Sequence, residues 1–233
     1  MEKYNVTGIL LLAGDSTRYG DTNKNLELLS EDKTVLEYSL DVFNNNEVID
    51  DIILVAREED LGEVYSIIEK YDELKPVRVV IGGKTRMDSV YNALTSTDSM
   101  FVVIHDAARP FIKDKYINDV FEQLDLFWGA SIGVKSKDTV KVTSSHDLVD
   151  YTTDRNNTWI VQTPQAFDRE MLLRCHDFHS NDMDITDDCM LLEREGLSVK
   201  MVEGDYTNIK ITTKDDLAIL KGLEKIKVKK MSE

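Results

Sequence analysis

Alternating strand and helix patterns through the first two thirds of this 233-residue chain predict an α/β fold. The expected sheet is Rossmann-like, mostly parallel and twisted, with helices on both faces and a protruding β-arm. Three observations lead there. Val6–Ala13 is an unbroken apolar run, as in a strand buried on both faces. Short apolar runs then alternate with helical spacing up to about residue 134. After that the rhythm breaks into a polar, Thr-rich stretch.

In order, Val6–Ala13 reads as a strand and Val35–Phe43 as a helix. Asp51–Val55 is a strand and Leu61–Tyr71 an amphipathic helix; Val77–Ile81 is a strand and Met87–Leu94 a helix. Phe101–Ile104, Tyr116–Phe127 and Ala130–Val134 continue as strand, helix and strand. Residues 135–157, with alternation such as Thr139-Val140-Lys141-Val142, read as the arm leaving the main sheet. Thr163-Pro164 reads as a rigid turn. Asp168 caps a helix to Cys175, and Thr186 caps one to Glu195. Val199–Val202 and Asn208–Ile211 read as strands. Thr213 and Asp216 form a capping box for a last helix, whose tail from Lys225 is expected to fray. With no repeat, low-complexity tract or Pro/Gly linker, residues 1–233 read as a single domain.

Composition narrows the function. Apolar residues make up 42% and charged residues 31%, and no apolar run approaches the roughly 20 residues that span a bilayer. Neither a membrane partner nor a secretion signal is expected, so the cytoplasm is the expected location. A net charge of −16 argues against a nucleic-acid partner. It leaves room for a phosphorylated small molecule, provided that a few cations gather locally. Cys175 and Cys189 match no metal or redox spacing and read as packing residues.

Three segments of unusual composition stand at strand ends, where open α/β sheets bind ligands. The first is Ala13-Gly14 through Arg18 and Gly20 to Lys24. Small residues let backbone N–H groups approach a polyphosphate that Arg18 and Lys24 would neutralise. The spacing is neither GxxxxGK[ST] nor GxGxxG, and a plain turn also explains the glycines. The second is Gly82-Gly83 with Arg86 and Ser89, either a close backbone approach to a ligand or a turn with a solvated arginine. The third is His105-Asp106-Ala107-Ala108-Arg109-Pro110. Asp106 beside a triphosphate is a reasonable place for Mg²⁺; alternatively it caps the next turn and pairs with Arg109. His105 is the weakest member, since nothing completes a triad with it.

Together these segments resemble the family of cytidylyltransferases that act on 2-C-methyl-D-erythritol 4-phosphate in non-mevalonate isoprenoid synthesis. The resemblance covers nearly the whole chain. Its further blocks are Asp138-Thr139-Val140-Lys141, Arg155 with Trp159, Gln162-Thr163-Pro164-Gln165-Ala166-Phe167, Thr186-Asp187-Asp188 and Asn208-Ile209-Lys210-Ile211-Thr212. The resemblance implies transfer of CMP from CTP, with Mg²⁺ as cofactor, and a homodimer joined by the arm. Arg18 and Lys24 would stabilise the transition state. Ala13, Gly14, Gly82, Gly83, Arg86 and Ser89 would bind the nucleotide. Asp106 would serve metal and acceptor, and Thr139, Arg155, Thr163 and Lys210 the acceptor, with Thr139 and Arg155 reaching the partner's site.

The N-terminal loop departs from the family pattern. Ser16 replaces a small residue, Asp15 adds an acid, and Asn23-Lys24-Asn25 replaces Pro-Lys-Gln. Two rivals follow: an enzyme acting on ribitol 5-phosphate, and a nucleotide-binding relative without activity. Ala107-Ala108 and Trp159 favour the methylerythritol pattern.

Overall fold

A computed structural model describes residues 4–14, 19–20, 22–180, 182 and 184–231. The chain forms β1 (Val6–Leu11), α1 (Val35–Asn45), β2 (Asp51–Ala56), α2 (Leu61–Ile68), β3 (Val77–Ile81), α3 (Arg86–Thr95), β4 (Phe101–Asp106), α4 (Asp114–Phe121) and β5 (Gly129–Lys135). It continues through β6 (Lys141–Thr143), β7 (Val149–Thr152), β8 (Trp159–Asp168), α5 (Arg169–Phe178), α6 (Asp188–Arg194), β9 (Val199–Glu203) and α7 (Lys214–Met231). The seven-stranded sheet runs β3-β2-β1-β4-β8-β5-β9, and β6 pairs with β7 as the separate two-stranded arm. Only β8 lies antiparallel to its neighbours, β4 and β5.

Side chains of β1 alternate between two cores, as the two-residue period of a strand requires. Leu10 and Leu12 pack with Leu36, Leu40 and Phe43 of α1, and with helices α2 and α4. Ile9 and Leu11 face the other way, with Val90 and Leu94 of α3 and with α5 and α6. Both cysteines are buried in this second core and unbonded to each other. A third cluster seats α7, through Leu217 and Leu220, on Phe111 and Ile211. Among the described residues no helix is long and apolar enough to cross a membrane.

Several elements differ from the sequence reading. The Thr163-Pro164 turn lies inside the ten-residue strand β8, with a cis peptide bond between them. Proline lacks the N–H that a central strand donates, so sequence logic argues against a strand there. The structure accommodates it where the β5–β8 register shifts, between Ser131 and Gly133. Asn208–Ile211 is irregular rather than a strand. Its backbone is tied to the segment after β4 by the Ile211 N–H donating to Ala108 O (2.8 Å), not by a ladder. The cap of α6 is Asp187, which accepts from the Met190 N–H, rather than Thr186. Asp168 caps α5, and Thr213 with Asp216 form the expected box. Helix α7 runs to Met231, through the tail expected to fray from Lys225.

Strand order sets the position of the site. From β1 the chain winds outward through β2 and β3, then returns to place β4 on the other side of β1. This reversal opens a crevice beyond the carboxyl ends of β1 and β4, where doubly wound sheets bind ligands. Leu11 pairs with Asp106 in that register, so Ala13 and Asp106 leave the sheet side by side.

Candidate active site

Asp106 ends β4 and is largely buried. Lys210 Nζ donates to its Oδ2 at 2.6 Å and Arg86 Nε to its Oδ1 at 3.4 Å. Burial pushes the carboxyl upward, but Lys210, Arg86 and Arg109 together outweigh it and hold the group well below the usual carboxylate range. Asp106 is therefore ionised throughout the neutral range. The alternative pairing of Asp106 with Arg109 gives way to these two partners. Arg109 turns instead to backbone oxygens, Asn208 O at 2.8 Å and Val161 O at 3.5 Å.

Arg86 is shared. Its Nη2 donates at 2.8 Å to Asp188 Oδ2, at the start of α6. Desolvation alone would lower the guanidinium, yet Asp188 and Asp106 raise it, so it stays charged. The result is a line of alternating charge, Lys210–Asp106–Arg86–Asp188. It runs beside a cleft of about 430 Å³ lined also by Arg109, Gln162, Thr163, Gln165, Asp187 and Glu193. In an acidic chain, three cations converge here.

The backbone of the cleft is held by neutral hydrogen bonds. The Asp106 N–H donates to Thr163 Oγ1 (3.1 Å), and the same hydroxyl lies 2.9 Å from His105 Nδ1. His105 Nε2 lies 3.1 Å from Arg109 O. A carbonyl can only accept, so Nε2 carries the proton and Nδ1 accepts from Thr163. His105 is thus a buried structural node, and the Thr163 hydroxyl, expected at the acceptor, is committed to this network. Burial lowers His105 to about 4 from its ordinary 6.5. The unfolded chain takes up a proton between those values and the folded chain does not. This contribution to stability is complete above about pH 6.5 and lost as pH falls towards about 4. His105→Gln should flatten the decline of thermal midpoint over that window; an unchanged slope would show that protonation of His105 is not linked to folding.

Gly82-Gly83 follows β3. A Cβ on Gly82 would lie 2.4 Å from Ala13 Cβ, so the two loops meet at that point and only glycine fits. Ser89 is buried; it accepts from the Gly83 N–H (3.0 Å) and donates to Thr85 O (2.9 Å). Its hydroxyl shapes the glycine turn. Ala13 is buried at the end of β1 and Gly14 is exposed. Lys24 is half-buried on a turn anchored to β1, since Asn25 Nδ2 donates to Leu12 O at 3.1 Å. Arg18, Asp15 and Ser16 lie outside the described residues. Thr139 and Arg155 are exposed on the arm, bonded to each other at 3.1 Å, and do not line the cleft around Asp106.

The structure brings Asp106, Thr163 and Lys210, which the resemblance gives to the acceptor, to one cleft with Arg86, which it gives to the nucleotide. Asp187 and Asp188 entered only as part of a family block, with no role in the site. A buried acid and a solvated one look alike in sequence; two successive acids after Thr186 were the available signal.

A family model described as IspD, 2-C-methyl-D-erythritol 4-phosphate cytidylyltransferase, matches residues 6–223. The chain belongs to this family. The protein of that name from Lachnoclostridium phytofermentans (strain ATCC 700394 / DSM 18823 / ISDg) is 41% identical over 221 residues, covering 93% of this chain and 94% of that one. The one from Clostridium botulinum (strain 657 / Type Ba4) is 40% identical over 214 residues, covering 91% and 93%. Among solved structures, the 4-diphosphocytidyl-2C-methyl-D-erythritol synthase of Anaerococcus prevotii DSM 20548 aligns with a TM-score of 0.86 at 31% identity, covering 96% of this chain and 97% of that one. The 2-C-methyl-D-erythritol 4-phosphate cytidylyltransferase of Francisella tularensis aligns with a TM-score of 0.75 at 34% identity, covering 92% and 97%. These IspD structures share the Rossmann-like α/β architecture described above. The family match carries the methylerythritol name, and nothing in it favours the ribitol reading.

Proposed function

We propose that this chain transfers the cytidylyl group of CTP to the phosphate of 2-C-methyl-D-erythritol 4-phosphate and releases pyrophosphate. The observation that carries this reading is the cleft beside β4 and β8, where Lys210, Arg86 and Arg109 gather around Asp106, in a chain of the IspD family. A phosphate monoester has its second pKa near 6, so the acceptor is largely a dianion at neutral pH and needs no strong general base. The obstacle is bringing two anions together. Positioning and charge neutralisation then supply most of the catalysis.

In this reading the Ala13, Gly14, Gly82 and Gly83 loops hold the nucleotide, and Lys24 with Arg18 neutralises charge developing at the α-phosphorus. Lys210, held by Asp106, serves the acceptor, and Arg86, on the same carboxylate, serves the nucleotide. Among the described residues no group of three or more His, Cys, Asp or Glu side chains could hold a metal. Both oxygens of Asp106 already meet Lys210 and Arg86, so Mg²⁺ would arrive on triphosphate oxygens and meet this carboxylate with its waters kept. Mg²⁺ bound there would neutralise phosphate charge.

The arm supports a homodimer in which Thr139 and Arg155 reach the partner's cleft. Arg155→Ala should raise the acceptor KM about tenfold or more, the scale of a lost charge-assisted hydrogen bond, with kcat less affected. An unchanged KM argues against that role. If Arg155 serves the partner, mixing inactive Lys24→Ala subunits with Arg155→Ala subunits restores activity, because one site of each mixed dimer is intact.

Pyrophosphate release from CTP, measured with 2-C-methyl-D-erythritol 4-phosphate and with ribitol 5-phosphate, tests the function itself. Release with the first alone is expected. Release with ribitol 5-phosphate alone, or CTP binding without release in either case, overturns it.

A further inference from the structure

The turn carrying Lys24 is held by a residue outside every motif described above. Asp60 stands at the N-cap of α2, where an aspartate ordinarily accepts from a free helix N–H. Here its side chain makes no capping bond. Its carboxylate points the other way. Arg57 grips it from one side, Nε to Oδ2 at 2.7 Å and Nη2 to Oδ1 at 2.9 Å. Asn23 Nδ2 donates to Oδ2 from the other side, at 2.6 Å.

Asn23 has no spare capacity. Its Nδ2 also donates to Leu12 O (3.3 Å), and its Oδ1 accepts from the backbone N–H and the Nδ2 of Asn25, both at 3.0 Å. An amide has two donors and two acceptor sites, and all four are used. The Leu26 N–H closes the turn onto Asn23 O at 3.0 Å, and the Leu36 N–H of α1 donates to Asn25 O at 2.8 Å. Both neighbours of Lys24 are therefore pinned to the end of β1, and the only anchor from outside the turn and β1 that reaches the Asn23 side chain is Asp60 among the described residues.

We propose that Asp60, oriented by Arg57, is a positioning residue that sets Lys24 against the reacting phosphate through Asn23. The clamp supplies the backbone rigidity that a proline before the lysine would supply by fixing φ. This inference rests on the assignment of Lys24 to the transition state and goes beyond it.

The decisive experiment introduces Asp60→Asn into the parent chain and into Lys24→Ala. An amide at 60 keeps one oxygen for Arg57 Nε and Asn23 Nδ2, but its NH₂ meets Arg57 Nη2 where Oδ1 accepted, and it has no charge to hold the guanidinium, so the grip that orients residue 60 is lost. In the parent, kcat should fall about tenfold to a hundredfold, the range for misplacing a catalytic group by up to an ångström, while the KM for CTP moves much less. In Lys24→Ala the same substitution should change kcat by less than about twofold, because the group it positions is gone. Equal losses in both backgrounds, or no loss in the parent, overturn the proposal. A near-normal rate for Lys24→Ala alone overturns the role of Lys24 itself, a separate result. Should Asp60→Asn fail to fold, Asn23→Ala breaks the same link without touching the Arg57–Asp60 pair, and the same two-background comparison decides.

Discussion

Purified Lys24→Ala is expected to turn over about 10²–10³-fold more slowly than the parent, the scale of removing one preorganised charge-stabilising donor. The net charge of the chain is −16. A chain so acidic repels a triphosphate and a sugar-alcohol phosphate alike, so its rate rests on the few cations brought to the β1/β4 crevice. Lys24 sits on a turn whose flanking side chains are fastened to the end of β1. The backbone that carries it is therefore fixed before substrate arrives. The loss should fall mainly on kcat, because the charge it meets is greatest in the transition state. The thermal midpoint should stay close to the parent's, since Lys24 is only half-buried. Steady-state kinetics on folded protein checks this, and a rate within a few-fold of the parent removes Lys24 from the mechanism.

Arg86→Ala should be the most destabilising single change in the cleft. The Asp188 side chain is 2% exposed, and its close partner is Arg86 Nη2 at 2.8 Å. Among the described residues the other ionisable group against it is His176, whose Nε2 is 4.0 Å away, and burial lowers its pKa so that it stays neutral. Removing the guanidinium leaves one buried carboxylate without its partner and a second, Asp106, with only Lys210 held against it directly. Breaking one side of a buried pair costs about 3–5 kcal/mol. For a chain of this size that lowers the thermal midpoint by roughly 6–20 °C. Adding Asp188→Asn should restore part of the loss, because the unpaired charge is then gone. A midpoint within a degree or two of the parent would show that Asp188 finds another partner. Activity should fall in the single variant too, as Arg86 faces the cleft.

Much of the fold was legible because the information is local. Strands β1 to β5 announce themselves by apolar runs, and their helices by 3.6-residue spacing. Asp168, Thr213 and Asp216 act within one turn of the groups they bond. The strand missed, β8, fails locally: Pro164 breaks the pattern, and only the neighbours on either side reveal a strand. Asn208–Ile211 errs in the opposite direction, since its apolar alternation comes from packing against Phe111 and Leu217 rather than from pairing. Thr186 was the wrong cap by one residue, because Thr and Asp both cap well and tertiary packing chooses between them.

The site divides along the same line. By itself the sequence determined that glycine loops, cations and one acid stand at strand ends of a parallel sheet, which places them on one rim whatever the details. It also carried the blocks that mark the family. Only the tertiary structure decided how those groups are wired. Arg86 meets Asp188 across 102 residues, Lys210 meets Asp106 across 104, and Asn23 meets Asp60 across 37. It turned His105 from a spare histidine into a buried neutral node, and Asp60 from a helix cap into an anchor for Lys24. The physical reason is common to all of them. Burial and partner choice depend on which segments the folded sheet brings together, and no short window of sequence carries that information.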